Sequence, residues 1–168
     1  MGQYVSFDGS QLKELADKME AAGNGDFQND LKLWIDGMGN EFLDMVTSEI
    51  ISREVVDTRL LLASMHKGGN GNVWKSSDEG LTLEVGTSVE YAQWVNDGHK
   101  QRPGRFIPGR WNGERFEYIP GYDSGMVLKA KWVEGKHYWD AALRTMEALM
   151  QRYVEAKMNQ WLSRYFGG

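Results

Sequence analysis

Residues 81–98, with the sequence LTLEVGTSVEYAQWVNDG, carry the pattern on which the predicted fold depends. Apolar and polar residues alternate over 81–85, which is the period-two pattern of a strand with one buried face. Thr87 or Ser88 can then cap a short helix, and Gly98 can end it. The apolar residues of that helical turn are Val89, Tyr91, Ala92, Trp94 and Val95. The stretch therefore predicts a strand, a tight turn and a short helix that join a helical front half to a loop-rich back half.

Helical periodicity predicts two long amphipathic helices on either side of this stretch. The first covers residues 26–52 and the second covers 138–165, and each has apolar residues on one face at a spacing close to 3.6 residues. Shorter helices are predicted over 11–22, where Gly23-Asn24-Gly25 follows, and over 59–65, where Asp57-Thr58 precedes. Gly37 and Gly39 lie in the middle of the first long helix and indicate a close backbone approach or a bend.

Strand patterns complete an α+β fold. Residues 73–77 and 81–87 flank Asp78-Glu79-Gly80 and predict a hairpin, residues 126–133 predict another strand of the same central sheet, and residues 1–9 predict a short arm or strand. We expect a small antiparallel β-sheet packed by two long α-helices, in a single domain over 1–168. This chain of 168 residues is long enough to bury a substantial core.

Residues 100–121 predict a projecting β-hairpin arm. Asn112-Gly113 lies between two apolar and aromatic segments, which is a strong hairpin signal, and Pro108 restricts its strand to an edge or a bulge. Basic and aromatic residues are interleaved along this arm, and Arg, Trp and Tyr are enriched in protein interfaces. The predicted interface residues are Lys100, Arg102, Arg105, Phe106, Ile107, Arg110, Trp111, Phe116 and Tyr118. The alternative is a nucleic-acid surface, although Glu114, Glu117 and Asp123 dilute its positive charge.

Composition and motifs argue against an enzyme or a metal protein. The net charge is −5, no cysteine is present and no apolar run approaches the roughly 20 residues of a membrane span. His66, His99 and His137 do not have the spacing of a zinc site, so we predict no metal and no cofactor. A nuclease would need paired carboxylates and a lysine, and the nearest candidates, Glu84 and Lys75, are better explained as a cross-strand ion pair.

Two segments resemble a known family. They are Val56-Asp57-Thr58-Arg59-Leu60, with Ser64 one helical turn later, and residues 85–98, VGTSVEYAQWVNDG. Together they are similar to the tail-completion, or head–tail joining, proteins of tailed bacteriophages and of phage-tail-like particles. Arg59 stands where the family pattern has glycine, Asn96 where it has an acid and His99 where it has threonine. The family's proline-rich element before the last helix is replaced by residues 136–142, KHYWDAA.

The resemblance implies a structural virion protein without enzyme activity. It implies an α+β subunit of a ring in the neck or tail region, commonly six-fold, assembled in the host cytoplasm. The implied partners are further copies of the same chain and neighbouring neck, tail-terminator or tube proteins, with DNA only passing through the lumen. A nucleic-acid-binding module that uses residues 100–121 remains the alternative from another functional class, and a small nuclease has the least support.

Overall fold

The computed structural model describes residues 2–21, 26–55 and 59–166. Predicted features at Gly23-Asn24-Gly25 and Val56-Asp57-Thr58 lie outside these residues. Besides two short 3-10 turns at Ser10–Leu12 and Asp78–Gly80, the described part of the chain contains five α-helices and eight strands. They are β1 (Gln3–Asp8), α1 (Lys13–Ala21), α2 (Asp26–Ser52), α3 (Arg59–Ser64), β2 (Asn72–Ser77), β3 (Thr82–Thr87), α4 (Ala92–Asp97), β4 (Gly98–Gln101), β5 (Phe106–Asn112), β6 (Arg115–Tyr118), β7 (Gly125–Val127), β8 (Lys131–Glu134) and α5 (Tyr138–Phe166).

The central sheet is antiparallel, with β3 between β1 and β2. Val85 of β3 pairs with Val5 on one side and with Trp74 on the other. Residues 3–8 are thus a strand of this sheet. The predicted hairpin is also confirmed: Asp78-Glu79-Gly80 connect β2 to β3, and all three have positive φ angles, of 51°, 57° and 92°. The half-buried strand predicted from residues 81–85 therefore becomes the middle strand of the sheet.

Helix α2 lies on this sheet, with the bounds that the sequence predicts. Its buried face includes the predicted apolar residues Phe27, Leu31, Ile35 and Phe42. At Gly39 the sheet comes so close that an added Cβ would lie 2.7 Å from the Leu83 side chain. The close approach predicted for a central glycine is therefore found at this position, and it draws the helix onto β3.

Helix α5 packs chiefly along α2 and reaches the sheet at its first residue. Phe42 is fully buried between the two layers, with an edge-to-face contact to Phe7 of β1 and another to Trp139 of α5. Near the other end of α5, Trp161 packs edge to face on Phe27 at 4.8 Å. Such aromatic pairs add to the free energy of area burial by about 0.5–1.5 kcal/mol each. Sheet, α2 and α5 thus share one hydrophobic core.

The short helix α4 holds the beginning of α5. Asn96 is 1% exposed, and its Oδ1 accepts a hydrogen bond of 2.9 Å from the backbone N–H of Trp139. The Nδ2 atom of Asn96 donates to the carboxylates of Asp97 and Asp140. Asn96 therefore caps a helix that begins 42 residues later in the chain, satisfying one of the N–H groups that every helix leaves unpaired at its start.

Tyr138 provides a second connection at the same point. It is fully buried, and its hydroxyl group lies 2.9 Å from the carbonyl oxygen of Ala92 and 2.9 Å from the side-chain oxygen of Gln3. Burial raises the pKa of this hydroxyl group well above its ordinary value, and the nearby Asp97 carboxylate acts in the same direction. The residues around 81–98 thus join the front and back halves of the chain, as predicted.

Several predicted details are wrong. Residues 126–133 do not form one strand of the central sheet: β7 pairs with β5, and β8 pairs with β4. The turn of the β5–β6 hairpin is Gly113-Glu114, one residue later than predicted, because Asn112 still pairs with Arg115. Thr87 does not cap α4, since its Oγ1 accepts a hydrogen bond from the N–H of Val89, ahead of the helix. These errors concern pairings and caps that depend on neighbours rather than on local pattern.

Candidate protein interface

Residues 98–134 form an arm that is larger than the predicted hairpin. Its base is the β4–β8 ladder, in which Gly98 pairs with Glu134. Farther out, the first half of β5 pairs with β7 and the second half pairs with β6. The change of partner occurs between Pro108, which pairs with Gly125 of β7, and Gly109, which pairs with Tyr118 of β6. Strand β5 is thus the middle strand of three, whereas the missing N–H of Pro108 predicts an edge or a bulge. We call residues 98–134 the arm.

The arm contributes nothing to the hydrophobic core of the described residues. Gly109 is its one buried residue, and the φ angle of 153° there accompanies a close approach to the carbonyl oxygen of Glu117. Trp111 and Phe116 stand opposite each other in the β5–β6 ladder and make an edge-to-face contact at 5.3 Å. Trp111 is nevertheless 59% exposed. The arm is therefore held by its backbone ladders and by a few surface pairs.

Large apolar side chains on the arm face solvent. A contiguous exposed apolar patch on a soluble protein commonly marks an interaction site. The exposed members are Phe106, Trp111, Tyr118, Tyr122, Val127 and Trp132. Three of these are in the predicted set of interface residues, whereas Tyr122, Val127 and Trp132 were missed. The alternating pattern of residues 126–133 predicts a strand of the central sheet for Val127 and Trp132, and Tyr122 follows the predicted hairpin at its exit.

The nine predicted interface residues all lie on the arm, in two groups. Lys100 lies in β4, and Arg102 and Arg105 lie in the turn between β4 and β5. The remaining six lie on the β5–β6 hairpin: Phe106, Ile107, Arg110, Trp111, Phe116 and Tyr118. Ile107 and Phe116 are only half-exposed, and Arg110 is paired with Glu117 across the strands at 3.0 Å.

The first group lines a groove at the base of the arm. Lys100, Arg102 and Arg105 share it with Trp94 of α4 and with His99, and its volume is about 760 Å³. The indole of Trp94 lies 6.2 Å from the imidazole ring of His99. The Nδ1 atom of His99 is buried and has no hydrogen-bond partner in the structure. The sequence alone did not indicate that Trp94 and His99 belong with these three cations.

Charged groups elsewhere form ordinary surface pairs. Lys75 and Glu84 are cross-strand neighbours with an ion pair of 2.8 Å, and the hydrogen bond that the Lys75 ammonium group donates to the Glu84 carboxylate raises the pKa of Lys75. The Nδ1 atom of His137 lies 3.2 Å from the carboxylate of Asp140, three residues later in the chain. Among the described residues, no group of three or more potential ligands is placed to hold a metal ion. None of the helices found in this part of the chain is long and apolar enough to cross a membrane.

Comparisons with known proteins identify the family. Residues 13–98 match the family model described as "Bacteriophage HK97-gp10, putative tail-component". The chain is 42% identical to the phage-like element PBSX protein XkdI of Bacillus subtilis (strain 168) over 155 residues, covering 91% of this chain and 96% of that protein. It is 40% identical to the uncharacterized protein YqbI of the same strain over 162 residues, covering 92% and 97%. No solved structure matches. This protein therefore belongs to the HK97-gp10-like family of phage tail components, and it is a structural, tail-related protein that acts with other tail or head proteins of a phage particle.

Proposed function

We propose that this chain is a ring-forming subunit of the neck or tail end, which completes the tail or joins it to the head. The observation that carries the proposal is the arm, a segment of 98–134 outside the core that exposes Trp111, Tyr118 and further large apolar side chains. An arm laid on a neighbouring subunit adds contact area without enlarging the core of either subunit. Copies of this chain would thus be joined around a lumen through which DNA passes. The family resemblance implies six copies.

The interface residues proposed on the arm are those predicted from the sequence, extended by Tyr122, Val127 and Trp132. Trp and Arg residues commonly provide most of the binding free energy of a protein interface. Trp111 lies in the middle of the exposed hairpin, with Arg110 before it and Phe116 opposite. We infer that Trp111 is an anchor residue in the contact with the neighbouring protein.

Replacement of residues 104–120 by a short Gly-Ser linker tests this function. The variant lacks β5 and β6 but keeps the β4–β8 base and every residue of the hydrophobic core. We expect a folded, soluble subunit that fails to complete particles when it replaces the native chain during their assembly. Negative-stain images of the particles provide the measurement, and native protein supplied in the same way is the control. Normal particles made with the shortened chain would contradict the proposal.

A nucleic-acid-binding function is the second candidate, because the groove at the base of the arm combines Trp94 with Lys100, Arg102 and Arg105. Proteins that bind single-stranded nucleic acid combine aromatic side chains, on which the bases stack, with basic side chains that neutralise the phosphates. Binding of this kind would weaken steeply as the salt concentration rises. A gel-shift titration at two salt concentrations distinguishes the candidates, and we expect no salt-sensitive shift. We also expect no hydrolytic activity, and a chelator-sensitive nuclease activity that is lost in Glu84→Ala would overturn that expectation.

A further inference from the structure

Gly37 in α2 has no explanation within the subunit. Glycine in the middle of a helix destabilises it relative to alanine, so such a residue needs a reason. Gly39 has one, because an added Cβ would collide with Leu83 and Trp74 of the central sheet. Gly37 lies on another face of the same helix, and an added Cβ there would meet nothing within 4 Å. The space beside Gly37 is therefore open to another molecule.

This space is part of a groove between α2 and α5. Its volume is about 650 Å³, which lies within the range of roughly 300–1,000 Å³ found for sites that enclose small molecules and is ample for two aromatic side chains. Leu33 is 71% exposed beside Gly37, while Trp34 and Met38 lie deeper on the α2 side. Tyr153 and Ala156 belong to the α5 side. The other lining residues are polar or charged and are Asp30, Glu41, Lys157 and Gln160. A groove with polar edges, an exposed leucine and a bare stretch of helix backbone is suited to receive protruding aromatic rings.

Charge selects the arm of another copy as the occupant. The arm has seven lysine and arginine residues and four carboxylates, so its net charge is +3, and the rest of the chain carries −8 of the total of −5. Helix α2 has six carboxylates and a single lysine. Glu41, at the edge of the groove, interacts with the hydroxyl group of Tyr153, and neither it nor Asp44 has an ion-pair partner among the described residues. On the arm, Arg115 lies beside Trp111 and Phe116 without an ion-pair partner in the structure.

We propose that the tip of the β5–β6 hairpin of one copy docks in the α2–α5 groove of the next copy. Trp111 and Phe116 enter the groove beside Gly37, and basic residues of the arm approach the acidic surface of α2. The seven residues of β5 alone extend over roughly 23 Å, long enough to reach a neighbouring subunit. Two different, complementary surfaces on the same chain produce a head-to-tail contact, which closes into a ring when the rotation permits. The inference rests on the proposed ring and specifies how its subunits are joined.

Cysteine cross-linking tests the contact, because the native chain contains no cysteine. A double variant, Glu114→Cys with Ala156→Cys, places one thiol at the tip of the hairpin and one at the exposed side of the groove. A short bis-maleimide reagent added to assembled particles should produce a ladder of multiples of this chain. The matched control combines Glu114→Cys with Ser76→Cys, an exposed residue of β2 outside the groove, and should give at least tenfold less cross-linked product.

The outcomes separate the inference from the proposed function. Particles that contain rings of the double variant but give no ladder would overturn the docking site alone. Cross-links to a protein of another mass would assign the groove to a different partner and would also overturn it. A cross-link formed by Glu114→Cys by itself would indicate a symmetric contact between two arms and contradict the head-to-tail arrangement. Particles in which this chain forms no ring would contradict both the docking site and the proposed function.

A second variant tests the groove without cross-linking. Gly37→Gln introduces a long side chain into the groove, in space that the isolated subunit leaves empty. The melting temperature of the free subunit should stay the same or rise, while the yield of completed particles should fall at least tenfold. Asn29→Gln, an exposed change on α2 outside the groove, is the control and should affect neither quantity. Full assembly of the Gly37→Gln variant would show that nothing occupies this groove.

Discussion

The body of this protein, by which we mean the described residues outside 98–134, and the arm both contain edge-to-face aromatic pairs. The surroundings of these pairs differ. The rings of Phe42 and Trp139 lie 5.0 Å apart in the body, and those of Trp111 and Phe116 lie 5.3 Å apart in the arm. Phe42 is completely buried, whereas Trp111 is 59% exposed. Similar ring contacts therefore contribute very differently to folding, because apolar side chains stabilise a fold in proportion to the area that they remove from water.

The difference suggests a division of roles between the two regions. In the body, one aromatic residue of α2 connects β1 to α5, so its loss affects three elements at once. In the arm, backbone pairing holds the strands and the side chains remain available to a neighbour. Substitutions at five positions test this division of roles, and they follow in order of decreasing expected loss of subunit stability.

Phe42→Ala should have the largest effect. It leaves a cavity between the sheet and α5, and large-to-small changes of this kind in a core cost about 3–5 kcal/mol of the free energy of unfolding. Met146→Ala, on the buried face of α5, should cost about 2–5 kcal/mol for the same reason. Urea unfolding followed by circular dichroism provides both values. If neither variant shifts the unfolding midpoint, the two apolar faces are not packed in the free subunit.

Asn96→Ala should have the next largest effect. It removes the cap of α5 and leaves the buried N–H of Trp139 without its acceptor, which together should cost about 1–3 kcal/mol of the free energy of unfolding. Asn96→Asp keeps an acceptor for that N–H but places a third carboxylate beside Asp97 and Asp140. The aspartate variant should therefore be less stable than the native chain at neutral pH. Native stability in Asn96→Ala would show that α5 begins without this contact.

Tyr138→Phe should cost about 1 kcal/mol at neutral pH, because it removes the hydrogen bond between α5 and α4. The variant should also alter the dependence of stability on alkaline pH. The pKa of Tyr138 is higher in the folded state than in the unfolded state. The contribution of this group to the free energy of unfolding is therefore complete below the ordinary tyrosine pKa, and it is lost as the pH rises through the pKa of the folded state. Unfolding above about pH 10 should thus depend less on pH in the variant. Equal slopes for the two proteins would contradict the buried, neutral hydroxyl group.

Trp111→Ala should have the smallest effect on the subunit and a larger one on assembly. Loss of a cross-strand aromatic pair costs about 0.2–1 kcal/mol, whereas loss of a central aromatic anchor costs an interface about 2 kcal/mol or more. Thermal unfolding of the subunit and the yield of completed particles give the two values. An equal loss of subunit stability and of assembly would mean that the indole ring of Trp111 stabilises only the fold of the arm.

Hydrogen exchange extends this last comparison to the backbone. We expect amides of residues 100–121 to exchange faster than those of β3 in a dilute solution of the free subunit, and to become protected in assembled particles. The reason is that these residues bury no core side chain. Equal protection of the arm and of β3 in the free subunit would contradict an arm that is completed by its neighbour.

Local sequence patterns are sufficient to predict the long helices and the central hairpin. The bounds of α2 were predicted to the residue, and the β2–β3 turn was placed correctly at 78–80, because both depend on periodicity and turn residues that are close together in the chain. Segment 85–98 also pointed to a phage tail family, since its residues form a compact and recognisable local motif. The residues of the predicted interface all lie on the arm for the same local reason.

The way in which these elements pack together depends on contacts between segments that are far apart in the chain. The cap of α5 by Asn96 joins residues 43 positions apart, and the division of 126–133 between β7 and β8 depends on partners at the other side of the arm. Gly37 and Gly39 look alike in the sequence, yet one faces the sheet and the other faces an open groove. Local pattern records which residues prefer a helix, a strand or a buried position. Hydrogen bonds and packing between distant segments depend on the relative placement of those segments, which no local pattern contains.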